Sequence, residues 1–147
     1  MKTLFTIFMA EDDESTREYI SIVLERAGFN VFTATNCRDA LTQLRALEEL
    51  NLPDLILTDV QMPYDGQSLI EHIRQLVKVR EIPVIPMSAS GLLEVGGLKI
   101  FPKPLNMRAL VSRIRETILQ NRLSRRLDES LEIPGPKSEG PKLPALN

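Results

Sequence analysis

The chain has 147 residues but only one cysteine, Cys37, and no tryptophan. A single cysteine excludes an internal disulfide and any multi-cysteine metal site, and it suits a reducing compartment. His72 is the only histidine. It sits beside an apolar stripe with no partner at metal-ligand spacing, so a solvated helix residue is the expectation. No run approaches the ~18 apolar residues of a membrane span. "LFTIFMA", after Lys2, is too short for a secretory signal and runs straight into "EDDE". Excess charge of either sign is also lacking. The net charge is −2, so nothing draws the whole chain to nucleic acid or to an anionic membrane. A cytoplasmic protein, with neither nucleic acid nor membrane as partner, is expected. With 43% hydrophobic and 26% charged residues, the chain has the make-up of a globular domain with its own core.

Apolar runs of strand length alternate with helical patterns. "LFTIFMA", "NVFTAT", "PDLILTD", "IPVIPM" and "LKIF" read as five strands. Between the first two, Ile20, Val23, Leu24 and Ala27 recur at helical spacing, Ser15 and Glu18 fit a capping box, and Gly28 suits the position past the helix end. Residues 37–50, with Ala40, Leu41, Leu44 and Leu47, predict a second helix, and Cys37 at its start is expected to pack. Leu69, Ile73 and Leu76 mark a third. From about Asn106 a long helix presents Met107, Val111, Ile114 and Ile118 on one face. Such alternation predicts a parallel sheet with helices on both faces. The last ~20 residues are rich in proline and glycine, lack periodicity and read as a disordered tail.

One connection is too short. Ser88–Gly97 joins the fourth and fifth strands, where a parallel crossover normally needs ~12 or more residues, usually a helix. "LLEV" has room for about one helical turn. Pro86 lacks an N–H donor and predicts a distortion of the fourth strand just before Ser88.

The chemistry gathers at strand ends. Glu11, Asp12 and Asp13 follow the first strand, Asp59 ends the third, Ser88 follows the fourth and Lys103 the fifth. Ligands of open α/β sheets bind outside the carboxyl ends of the strands. Carboxylates crowded there raise one another's pKa values, and a hard cation such as Mg²⁺ relieves the repulsion. A lysine and a hydroxyl facing a metal-bound carboxylate suit phosphoryl transfer, with Asp59 as the nucleophile that forms an acyl phosphate. The acidic turn "EDDES" has no glycine and would repel a nucleotide phosphate.

"AEDD", "LILTDVQMP", "SAS" and "FPKP", in this order at these strand ends, resemble the receiver domain of two-component response regulators over roughly residues 3–120. The resemblance implies a flavodoxin-like, doubly wound sheet of five parallel strands, here with the fourth helix truncated or absent. It implies Mg²⁺ held by Glu11, Asp12, Asp59 and the carbonyl of Gln61. It implies Asp59 as phosphoacceptor, Ser88 as the hydroxyl that turns towards the phosphoryl group, Ala89 beside it with a backbone N–H, and Lys103 as the matching lysine. Asp13 falls outside the acidic pair and is expected to be solvated. Family members carry a Tyr or Phe three residues before the lysine; Ile100 stands there, and the adjacent Phe101 would point to the opposite face.

The expected organisation is a receiver at residues 1–121 and a helix extension with a disordered tail at 122–147. The expected function is a stand-alone receiver. It takes a phosphoryl group from a sensor histidine kinase or histidine phosphotransfer protein and signals to a downstream protein by contact. A phosphorylation-independent binding module of the same fold is the alternative. A phosphohydrolase with an aspartate nucleophile is disfavoured, because haloacid-dehalogenase-type enzymes place a second Asp where Gln61 stands. Arg108, Arg113, Arg115, Arg122, Arg125 and Arg126 of the last helix read as a solvated basic face or as a stripe for nucleic acid or an acidic partner. Leu119, Leu123 and Leu127 extend its apolar stripe, leaving open a partner or homodimer surface or a plain extension.

Overall fold

The computed structural model describes residues 4–62 and 67–131. The expected tail lies outside them, as does most of the "QMPYDG" turn. Strands β1 (Thr6–Ala10), β2 (Asn30–Ala34), β3 (Leu55–Asp59), β4 (Val84–Ser88) and β7 (Phe101–Pro102) form one sheet in the order β2-β1-β3-β4-β7. All four pairings are parallel. Helices α1 (Glu14–Arg26) and α4 (Met107–Leu131) cover one face, α2 (Cys37–Ala46) and α3 (Leu69–Arg74) the other.

Strand alternation explains the two layers. Ile7 and Met9 of β1 join Leu55, Leu57, Ile85 and Met87 under Ile20, Leu24, Leu110, Ile114 and Ile118. Phe8 and Ala10 point the other way and meet Cys37, Leu41, Leu44, Ile56 and Ile73. Every residue of β3 is buried, as befits the central strand of a doubly covered sheet.

Local chemistry departs from the sequence reading at several points. The cap of α1 is not the Ser15–Glu18 box. Asp13 is the N-cap, and its carboxylate accepts from Thr16 N at 2.9 Å. Asp13 is exposed as expected, but it is a structural residue. Gly28, with φ +98°, ends the helix as predicted. Helix α2 stops at Ala46, and a 3₁₀ turn at Glu49–Asn51 replaces its expected last turn. Helix α4 begins where Asn106 Oδ1 accepts from Ala109 N at 3.0 Å. It runs unbroken to Leu131, with Leu119, Leu123 and Leu127 exposed.

The Ser88–Lys103 connection contains no helical turn. Glu94–Val95 (β5) and Leu98–Lys99 (β6) form a small antiparallel hairpin in which Glu94 faces Lys99. Gly96 (φ +56°) and Gly97 (φ +83°) make its two-residue turn; positive φ at both places is what a type I′ turn requires and glycine permits. The expected strand "LKIF" is therefore divided. Its first half belongs to the hairpin, and only Phe101 of the second half enters the sheet.

Strand β4 does not distort at Pro86. Its register with β3 runs unbroken from Ile56↔Val84 to Asp59↔Met87. Met87 O accepts from Val60 N on the β3 side, whereas Ser88 O accepts from Lys103 N on the β7 side. By alternation Pro86 faces the β7 side, where pairing starts only at Met87↔Phe101. The missing donor thus falls where no ladder partner exists, which a parallel sheet tolerates.

The arginines of α4 are not simply solvated. Arg113 lies over the Phe101 ring (5.8 Å to the centroid), Arg115 over Phe29 (5.0 Å) and Arg122 over Phe5 (4.7 Å). Arg122 also pairs with Asp54 at 2.7 Å. These contacts tie the helix to β7 and to the residues that lead into β1 and β2.

Candidate functional site

Strand β1 is flanked by β2 on one side and β3 on the other, so successive connections leave it in opposite directions. A crevice opens beyond the carboxyl ends at such a switch point. Glu11 and Asp12 stand there because β1 ends at Ala10, and Asp59 stands there because it is the last residue of β3. Each of Glu11, Asp12 and Asp59 offers an oxygen, and the three lie within 4.8 Å of one another. Glu11 and Asp59 are buried, and Asp12 is exposed.

Lys103 reaches this cluster from the end of β7. Its Nζ donates to Glu11 Oε1 at 2.6 Å and to Asp59 Oδ2 at 2.8 Å. Asp59 Oδ1 accepts from Gln61 N at 2.8 Å. Burial pushes the Glu11 carboxyl above the usual range; its bonds to Lys103 and to Asp13 N oppose that, and the nearby Asp59 charge adds to it. Burial works against the Lys103 ammonium, but its hydrogen bonds to Asp59 and Glu11 outweigh this and raise its pKa. Two buried acids share one ammonium, and a third acid stands at the mouth. Such a set favours a further cation, and oxygen ligands of this kind fit Mg²⁺.

Ser88 is buried at the end of β4. Its hydroxyl donates to Ser90 Oγ at 2.8 Å and accepts from Ser90 N at 3.0 Å. Ala89 is exposed and, with Ser15, Thr16, Tyr19, Pro104 and Leu105, lines an open cavity of about 570 Å³ against Lys103. The Lys103–Pro104 peptide is cis. Ile100 is buried and its N–H donates to Leu93 O at 2.9 Å; Phe101 is buried under α4.

Glu11, Asp12, Asp59, Gln61, Ser88, Ala89 and Lys103 thus all lie at or just past the carboxyl ends of the strands. Arg17 was missed. From the first turns of α1 its guanidinium donates to Glu11 O at 2.9 Å and ties down the turn that carries the acids. No spacing rule exposes a long side chain that folds back onto a backbone carbonyl.

Fold and site together define a doubly wound α/β domain with a cation-ready acidic cluster and a lysine at its switch point. Residues 7–115 match the response regulator receiver domain. The chain is 35% identical over 117 residues to the transcriptional regulatory protein CpxR homolog of Haemophilus influenzae, covering 74% of this chain and 48% of that protein. It is 31% identical over 137 residues to the phosphate regulon transcriptional regulatory protein PhoB of Escherichia coli, covering 88% and 58%. It spans about half the length of these relatives. Among solved structures, a putative response regulator from Chloroflexus aurantiacus superimposes with a TM-score of 0.69 at 28% identity, covering 80% of this chain and 99% of that one. The chemotaxis response regulator CheY4 of Vibrio cholerae shares the fold, with a TM-score of 0.67 at 23% identity and coverages of 78% and 99%.

The chain belongs to the response regulator receiver domain family. Phosphorylation, Mg²⁺ binding at an acidic pocket and signal transduction from histidine kinases are general features of that family. Its members are signalling phosphoacceptor domains rather than classical enzymes.

Proposed function

We propose that this chain accepts a phosphoryl group on Asp59 from the phosphohistidine of a sensor histidine kinase or a histidine phosphotransfer protein. The observation that carries the reading is the Lys103 ammonium bridging Glu11 and Asp59 beside exposed Asp12. A carboxylate oxygen of Asp59 attacks phosphorus; the O–P bond forms, the N–P bond breaks, and the imidazole leaves as a neutral ring on taking a proton. Glu11, Asp12, Asp59 and the Gln61 carbonyl would hold Mg²⁺, which neutralises charge on the transferring group. Lys103 is already bonded to Asp59 and follows the phosphoryl oxygens as they arrive. Ser88 supplies a hydroxyl and Ala89 a backbone N–H to the same group. The cavity lined by Tyr19, Pro104 and Leu105 leaves an open, mostly apolar approach to Lys103.

In this reading residues 1–121 are the receiver unit and 122–147 an extension. The protein acts in the cytoplasm, in keeping with the lack, among the described residues, of any helix long and apolar enough to cross a membrane. The signal leaves by protein–protein contact. A second reading, output through DNA, draws on the likeness to CpxR and PhoB, which are transcriptional regulatory proteins. Incubation with acetyl phosphate, with and without Mg²⁺, followed by intact mass tests the proposal. A single Mg²⁺-dependent phosphoryl adduct is expected, and an unmodified protein under both conditions overturns it.

A further inference from the structure

A second cavity lies at the β2 edge of the sheet, and the acceptor chemistry does not use it. It is open, about 410 Å³ in volume, and its walls are mostly apolar: Phe8, Phe32, Leu47, Leu50, Leu52 and Pro53. Thr6 and Asn30, the first residues of β1 and β2, line it too, which places it towards the amino ends of the strands, away from Asp59. Leu50 is 98% exposed and Phe32, on the edge strand, 53%. A single exposed leucine is ordinary, but here two large apolar side chains face solvent on the walls of one apolar cavity. Because α2 stops at Ala46, the 3₁₀ turn that follows sets Glu48 and Glu49 between Leu47 and Leu50. Both acids are exposed, and neither is in an ion pair among the described residues.

We propose that this cavity receives residues 140–146 of the same chain, "GPKLPAL", with the prolines and leucines against Phe32 and Leu50 and with Lys142 beside Glu48 and Glu49. The place where the chain leaves the structure favours this occupant. Arg122 of α4 pairs with Asp54 at 2.7 Å, and the adjacent Pro53 is a wall of the cavity. From Arg122 the helix runs on to Leu131, a rise of about 14 Å at 1.5 Å per residue. Residues 132–140 can span up to ~30 Å when extended, enough to bring Pro141 back to the cavity. Composition favours it as well. Pro141 and Pro144 have the Pro-x-x-Pro spacing of polyproline II segments, which dock in aromatic-lined apolar grooves; the earlier "IPGPK" lacks that spacing. Charge agrees, since Lys142 is the one charged side chain of residues 140–146 and faces two unpaired acids. A nearby cation, Lys78, is spent on Leu47 O at 3.0 Å. The short tether makes the contact intramolecular, so a few weak contacts suffice. None of this depends on phosphorylation of Asp59.

The test joins lysines to carboxylates in the full chain with a zero-length carbodiimide and maps the joined peptides of the monomer by mass. Lys142 is expected to join Glu48 or Glu49 at several times the yield of Lys137, which belongs to the same tail but not to the docked segment. In Leu50→Ser, a change confined to an exposed side chain, that preference is expected to disappear. Equal yields from Lys137 and Lys142 in the wild type overturn the proposal, since an undocked tail offers both amines alike. A preference unchanged in Leu50→Ser overturns it too. So do joined peptides found only in covalent dimers, which would assign the cavity to the tail of a second copy.

Discussion

Lys103 Nζ lies 2.6 Å from Glu11 Oε1, across 92 residues of sequence. The same ammonium bonds Asp59, so one cation holds two buried acids that would otherwise repel. It also occupies part of the electrostatic space in which Mg²⁺ must sit. Lys103→Met is therefore expected to tighten Mg²⁺ binding about thirtyfold, since removing a unit charge ~4 Å from a divalent cation is worth about 2 kcal/mol even with water-like screening. The same change is expected to slow phosphorylation, because the phosphoryl oxygens lose a partner. Calorimetric titration with Mg²⁺ checks the first part. Weaker binding by the variant would mean that Lys103 organises the acids more than it competes with the metal.

The helix cap separates two adjacent roles in "EDDES". Asp13 accepts from the Thr16 N–H and hydroxyl, and these bonds hold its carboxyl below the usual range. Asp13→Ala should lower the urea midpoint of unfolding, as loss of an N-cap does. Ser15→Ala should cost much less. Equal losses would restore the Ser15–Glu18 box.

Asp39 gives the fold a pH dependence away from the acidic cluster. Its carboxylate accepts from Thr35 N at 2.9 Å and from Gln43 Nε2 at 3.2 Å, and these bonds lower its pKa, the Thr35 backbone bond most. A folded-state pKa below the unfolded one gives stability that is present above the unfolded value and is lost as pH falls through the folded one. Wild type should thus exceed Asp39→Asn in stability at about pH 6, with the gap closing towards about pH 3. Denaturation midpoints across that range are the measure, and a gap independent of pH would remove the carboxylate from the account.

Much of this architecture was legible in the sequence because burial on both faces writes itself as apolar runs. "LILTD" and "LFTIFMA" announced strands, and the acids at the end of the first run and just past the end of the second announced the site. The Ser88–Lys103 piece was legible only in part. Its shortness excluded a full helix, but "EVGGLK" also carries a hairpin signal, a Gly-Gly pair between short β-prone segments, in a place where a parallel sheet calls for a crossover helix. Pro86 misled because a strand has two hydrogen-bonding sides, and the sequence does not say which one lacks a neighbour. The α1 cap was ambiguous because Asp13 and Ser15 both suit an N-cap, and only Asp13 closes on Thr16. Arg17 and the Ser88–Ser90 bonds depend on side-chain direction, on which periodicity is silent.

The central claim is that Asp59 carries an acyl phosphate. Its most direct measurement is the intact mass of wild type and Asp59→Asn after acetyl phosphate and Mg²⁺, before and after hydroxylamine, which cleaves acyl phosphates but spares phosphate esters. The account predicts one adduct on the wild type, removed by hydroxylamine, and none on Asp59→Asn. An adduct that persists in Asp59→Asn, or that resists hydroxylamine, would contradict it.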